Sequence, residues 1–338
     1  MSTRPDPLAD RDLRPDRLHF ATGALLDRED FLAEQLYHRG RLARALLALH
    51  GSGTVSGLRV SLGDNGGDEM VNVSAGLAID RIGRLVEVPR SACIRLGRWM
   101  EHWAETDLSA LRRARVLPGA PEDPVATQAP GPDDPQMRLP ASPESAESGQ
   151  GETSAEGADA PKPAQVGEGE PEWKAWGQGY VVADVYLAFA ACERGKTPAF
   201  ATGPFDALDA VAPSRVRDGY ELTMVPVAHT ARPADPWAER SAAGVEARRR
   251  LAQASVLDTP LAPADWKDRG AVARPPAYPP EVDPSAVFLA RLFIPVMSVG
   301  KDESRAGFGR DRALRPLVNN HLRPFALSGP ALSWLAGG

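Results

Sequence analysis

Residues 27–50 read DREDFLAEQLYHRGRLARALLALH and residues 51–96 read GSGTVSGLRVSLGDNGGDEMVNVSAGLAIDRIGRLVEVPRSACIRL. The apolar repeat changes at Gly51, from near 3.6 residues to 2, so a helix feeds a run of strands. Over Arg28–His50 the choices suit a helix and its ends. Asp27 is placed to cap it, and Asp30 at the third position makes a weaker capping box. Glu29, Asp30 and Glu34 fill the early turns, and Arg39, Arg41 and Arg44 the later ones, as the helix dipole favours. Gly51 offers a left-handed stop. Leu32, Leu36, Leu42, Leu46 and Leu49 give an approximate apolar stripe, with Gly40 a weak point in the middle.

Beyond Gly51, Thr54–Leu62 and Met70–Val73 read as strands joined by the turn at residues 63–68. Leu77–Asp80, Leu85–Val88 and Ala92–Leu96 continue the alternation, with Gly83 at a tight turn. This is a small antiparallel meander. Arg98–Arg115, with Trp99 and Trp103 one helical turn apart, predicts a second helix. Farther on, Gly179–Ala190, Tyr220–Val227 and Ala286–Pro295 read as strands, Pro236–Ala254 as a helix and Leu261–Pro284 as a proline-rich loop.

Between these halves, Leu117–Glu172 holds twelve acidic residues against two basic ones and no Phe, Trp or Tyr. Too little apolar surface is present there to offset chain entropy, which predicts a disordered acidic insertion. The expected organisation is therefore a helix-plus-meander domain at 1–116, a linker at 117–172 and a β-rich domain at 173–338. The fold class is α+β. A long N-terminal helix feeds an antiparallel β-meander, and a β-dominated part follows the insertion. Setting the insertion's net −10 aside from the chain's −6 leaves +4 on the remainder, which gives no nucleic-acid footprint. Glycine and proline supply 63 of the 338 residues, consistent with a stretch that does not pack.

The opening MSTRPDPLADRDLRPDRLHF lacks the apolar centre of an export signal. The longest apolar run, Val287–Val299, is broken by Arg291 and Pro295 and falls short of the ~20 residues of a membrane span. A cytoplasmic protein without a membrane span is expected.

No constellation of catalytic type stands out. Glu34 and His38 share a helix face, but three or four ligands are normal for a metal, so a solvated pair is expected. Gly51–Gly57 has the glycines of a dinucleotide loop in the reversed order, helix before strand, which favours a helix stop and strand entry. Asp64–Glu69 clusters oxygen ligands without the alternating pattern of a calcium loop, and turn chemistry accounts for it. Arg248, Arg249 and Arg250 lack the interleaved aromatics of a base-stacking surface. Cys93 and Cys192, the only cysteines, sit among apolar neighbours and read as buried, inert thiols. No cofactor is expected, and the chain reads as a non-enzyme.

The segment Phe20–Val60 resembles the N-terminal part of proteins encoded with phage-tail-like contractile injection systems. The resemblance rests on three motifs. Gly23, Leu25, Leu26, Asp30, Phe31, Glu34, Gln35 and Tyr37 match an opening G-x-L-L-x-x-x-D-F-x-x-E-Q-x-Y. Leu49, His50, Gly51 and Gly53 match L-H-G-x-G, and Val55, Gly57, Leu58 and Val60 match V-x-G-L-x-V. Val73–Asp80 with Gly83 and Arg84 looks like the strands that follow, and Val185–Leu187 and Pro213–Leu222 look like a later signature. The resemblance implies a non-catalytic structural or adaptor part near the baseplate or terminal cap, in contact with tube, sheath, baseplate or cap components. It also implies a homo-oligomer in the assembly, released with the particle on lysis. Leu32, Leu36, Leu42, Leu46, Val55, Leu58 and Val60 are the interface candidates. The helix stripe either faces a partner or packs on the chain's own meander, and the strand edge over Val55–Leu62 is open to pairing with another chain. The alternative is a carbohydrate- or surface-binding module with Trp173, Trp176 and Trp237 as its platform.

Overall fold

The computed structural model describes residues 3–4, 6, 8, 16–116, 179–198, 211–228, 278–299, 307–327 and 332. The predicted insertion, the helix predicted at Pro236–Ala254 and most of the proline-rich loop lie outside the described residues.

A short β1 (Thr3–Arg4) precedes helix α1 (Arg28–His50). The helix begins as its sequence dictates. The Asp27 carboxylate accepts from the amides of Glu29 at 2.8 Å and Asp30 at 3.1 Å, and the Asp30 carboxylate accepts from the Asp27 amide at 2.9 Å. Two orphan donors are thereby satisfied reciprocally. Gly51, with φ of 70°, ends the helix and donates its amide to the Leu47 carbonyl at 3.0 Å.

Six strands follow: β2 (Gly53–Gly57), β3 (Val60–Asn65), β4 (Asp68–Val73), β5 (Gly76–Ile79), β6 (Leu85–Val88) and β7 (Ala92–Arg95). All pair antiparallel, in two three-stranded sheets ordered β2-β5-β6 and β3-β4-β7. The single strand predicted over Thr54–Leu62 is thus two strands in two sheets. Gly57 and Leu58 both carry positive φ, 61° and 56°, which turns the chain between them. A Cβ at Gly57 would overlap the Ala75 carbonyl, so only glycine fits. The helix predicted at Arg98–Arg115 also divides, into α2 (Leu96–Thr106) and α3 (Leu108–Ala114). The break is Asp107, whose carboxylate caps α3 by accepting from the Ala110 amide at 3.0 Å.

The remaining strands are β8 (Arg115–Val116), β9 (Tyr180–Arg194), β10 (Thr197–Pro198), β11 (Val211–Ala212), β12 (Arg215–Pro226), β13 (Val287–Val299), β14 (Gly307–Arg310) and β15 (Leu317–Asn319). Strand β9 organises a seven-stranded sheet. It pairs with β12 over Ala183–Arg194 and with β13 over its first half, while β1 and β8 add at its ends and β14 and β15 extend β13. Residues 181–188 are buried without alternation, the pattern of a strand covered on both faces. One apolar core runs through Leu58, Val71, Val86, Leu96 and Trp99 on one side and Val185, Leu187, Phe288, Leu292 and Ile294 on the other. Trp99 Nε1 ties the two by donating to the Met224 carbonyl at 2.6 Å. Among the described residues, no helix is long and apolar enough to cross a membrane.

Register places Asp184 of β9 directly across from Arg291 of β13. The guanidinium donates from Nε at 2.8 Å and from Nη2 at 2.9 Å, a buried bidentate pair. Next to it Tyr186 packs edge-on against Tyr278 and Phe288. Burial pushes the Tyr278 phenol up to about 12 and the Tyr186 phenol higher still, the latter helped by the Asp184 charge. A raised phenol opposes ionisation in the fold, so its contribution to stability is intact below pH ~10 and is lost as pH rises through the folded value. Two of the five tyrosines should therefore stay un-ionised at pH 11 in absorbance titration. Their ionisation should appear together with loss of circular dichroism. Five phenols titrating normally in a folded chain would contradict the packing described.

Candidate functional site

Helix α1 is about 35 Å long at 1.5 Å per residue, yet Ala43 is its one buried residue. The docking point is the turn 80–84. Gly83 has φ of 88°, and a Cβ there would overlap the Ala43 carbonyl oxygen, so glycine lets the helix backbone lie directly on the turn. Leu36 packs beside it with Leu8 and Ile82. Charges complete the attachment. The Asp6 carboxylate bridges Arg39 of the helix at 3.0 Å and Arg84 of the turn at 3.1 Å. Arg84 also donates to Asp80 at 2.6 Å and to Ser285 Oγ at 2.8 Å, and its guanidinium lies 4.5 Å from the Phe189 ring centroid. Burial pushes the Asp80 carboxyl up, and the Arg84 guanidinium with the amides of Arg84 and Ile82 pulls it down. Asp80, Gly83 and Arg84, noted in the sequence for a family resemblance, therefore join the N-terminal segment, the helix, the meander and the large sheet. Asp6, Ser285 and Phe189, their partners, carry no local signal in the sequence.

The face turned away from this attachment carries Phe31, Gln35, His38, Leu42, Ala45 and Leu49, all exposed. Their spacing is four, three, four, three, four, the repeat of a seam that meets another helix. Phe31, Leu42 and Leu49 are 56%, 55% and 76% exposed, and Leu25 in the lead-in is 97% exposed. Phe20 and Leu26 extend this apolar surface. The predicted stripe mixed two faces. Six residues at about 100° each put Leu36 and Leu42 roughly 120° apart around the axis. Leu36 and Leu46 are half-buried, whereas Leu32 and Leu42 are exposed. The outer seam includes Gln35, His38 and Ala45, which an apolar count passes over.

Of the strand candidates, Val55 is exposed while Leu58 and Val60 are buried in the chain's own core. The edge over Val55–Leu62 is also not open, because residues 320–326 of the same chain cover it. The Thr54 amide donates to the Pro324 carbonyl and the Ala326 amide to the Thr54 carbonyl, both at 2.9 Å. The Asn320 side chain takes both the amide and the carbonyl of Val60 at 2.9 Å, and Arg323 donates to the Leu58 carbonyl at 2.7 Å. An edge capped by a side-chain amide has no register left for a fourth strand.

The remaining motifs resolve as follows. His38 Nε2 and Glu34 Oε1 lie 2.8 Å apart on the helix surface, and no group of three or more metal-binding side chains occurs among the described residues. Asp64 accepts from the Gly67 amide at 2.7 Å at the tip of the β3–β4 hairpin. Cys93, expected to be buried, is exposed, because on β7 the alternation turns Ala92 and Ile94 inward. Cys192 is half-buried, and both thiols are free. Trp173, Trp176, Trp237 and Arg248–Arg250 lie outside the described residues. A recess of about 480 Å³ at the open end of β9 and β12 is lined by Arg194, Arg215 and Arg217, and one of about 280 Å³ by Tyr186, Glu221, Thr223 and Asp283. The most developed surface is the helix seam. No protein-family model matches the chain, and no curated protein does.

Proposed function

We propose that this chain is a non-catalytic structural or adaptor component of a phage-tail-like contractile injection particle, acting through protein–protein interfaces. The observation that carries the reading is the outer seam of α1. A capped helix bound to its own body by one face presents large apolar side chains on the other, which is the composition of an interface core. It lies in the same segment, residues 20–60, that resembles proteins of these systems. Tube, sheath, baseplate or cap components are the partners the resemblance implies, with assembly in the cytoplasm and release on lysis.

Deleting the gene and imaging particles by electron microscopy tests the reading. Particles that are shortened, uncapped or lack a baseplate support it, as does their restoration by the wild-type chain but not by a Phe31→Asp, Leu42→Asp variant. Complete, contractile particles formed without the chain overturn it.

A further inference from the structure

We infer that the outer seam of α1 pairs with the same seam of a second copy, antiparallel, as a two-fold helix pair. The inference rests on the proposed reading of this face as an interface and names its occupant. Three observations carry it. First, the four-three alternation runs from Phe31 to Leu49 with every member exposed, so the whole seam is free to meet another helix. Secondly, the helix is polar in charge along its axis. Glu29, Asp30 and Glu34 outnumber Arg28 in its first third, and Arg39, Arg41 and Arg44 follow. An antiparallel copy sets each acidic end against a basic one and opposes the two helix dipoles. Thirdly, one overlap satisfies apolar and charged groups together. With Phe31 opposite Leu42 of the other copy, Gln35 meets His38 at the centre and Glu34, whose Oε1 lies 2.8 Å from His38 of its own helix, flanks Arg41, each contact occurring twice by symmetry. The same overlap carries Leu49 toward the other copy's lead-in, where Leu25 is exposed.

A parallel pair would need Glu34 to reach Arg39, but Arg39 is turned to Asp6 on the docked side at 3.0 Å. Among the described residues Arg41 has no such ion pair, and it lies over the Tyr37 ring, 5.3 Å from its centroid, beside the seam. The helix is already ordered and held by its own body, so pairing does not bear the cost of helix formation that limits isolated short helices.

Sedimentation velocity of the purified full chain across the micromolar range tests the inference. Wild type should sediment as a dimer. Glu34→Arg and Arg41→Glu should each turn both flanking pairs repulsive and weaken self-association roughly tenfold or more. An equimolar mixture of the two variants should recover the wild-type association, because each copy then offers what the other lacks. Leu42→Glu, at an exposed site, should leave circular dichroism unchanged and abolish the dimer. A monomeric wild type, or a mixture no tighter than either variant alone, overturns the inference. A monomer that still enters particles through Leu42 removes self-pairing alone, whereas complete particles without the chain remove the reading beneath it.

Discussion

Asp184→Ala lowers the stability of the fold by roughly 3–5 kcal/mol, the usual cost of stripping one member from a buried ion pair. Arg291 would be left in the centre of the large sheet at 2% exposure, with its bidentate acceptor removed. Urea unfolding followed by circular dichroism gives the loss. The diagnostic comparison is Asp184→Leu combined with Arg291→Met, which removes both charges and keeps much of the volume. That double variant should regain most of the stability, since desolvating the pair offsets much of its attraction. A double variant as unstable as the single would show that shape, rather than the stranded charge, sets the cost.

Gly83→Val is expected to release α1 while leaving the sheets folded. The substitution places a β-branched residue at φ of 88° and drives its side chain into the Ala43 carbonyl, effects of about 1–3 kcal/mol each. Apart from Ala43 on this turn, the helix is held by Leu36 against Leu8 and Ile82 and by the Arg39–Asp6 pair, both beside the same turn. Hydrogen exchange should therefore lose protection over residues 28–50 first, and fluorescence of the buried Trp99 should change little. Gly97→Ala in α2 is the control, because nothing lies within 4 Å of the added methyl. Protection over α1 unchanged in Gly83→Val would mean that the turn does not hold the helix.

Legibility in the sequence followed the range of the interaction. The α1 boundaries were readable to the residue because Asp27, Asp30 and Gly51 act on their immediate neighbours. The division of Thr54–Leu62 was passed over, because its one local trace is a one-residue shift in apolar phase, from Val55 to Leu58, Val60 and Leu62, where the backbone angles turn at Gly57 and Leu58. The same limit hid the cap within the predicted second helix, where Asp107 interrupts a run of good helix formers. Asp184 and Arg291 stand 107 residues apart, and nothing short of the strand register joins them. The interface candidates on α1 span two faces of the helix. Leucine content marked the stripe, whereas contact with Gly83 and Leu8 decides which leucines turn inward.

The clamp of residues 320–326 on the meander has a consequence for synthesis. Val60 and Asn320 are 260 residues apart, so at ordinary translation rates the ribosome needs about 10–50 s to deliver the second after the first. Throughout that interval the nascent meander displays unsatisfied backbone groups at Thr54 and Val60. Completion of this half of the molecule must follow, rather than accompany, its emergence from the exit tunnel. A chaperone that shields strand edges during translation would be expected to raise the yield of folded chain more than one acting after release.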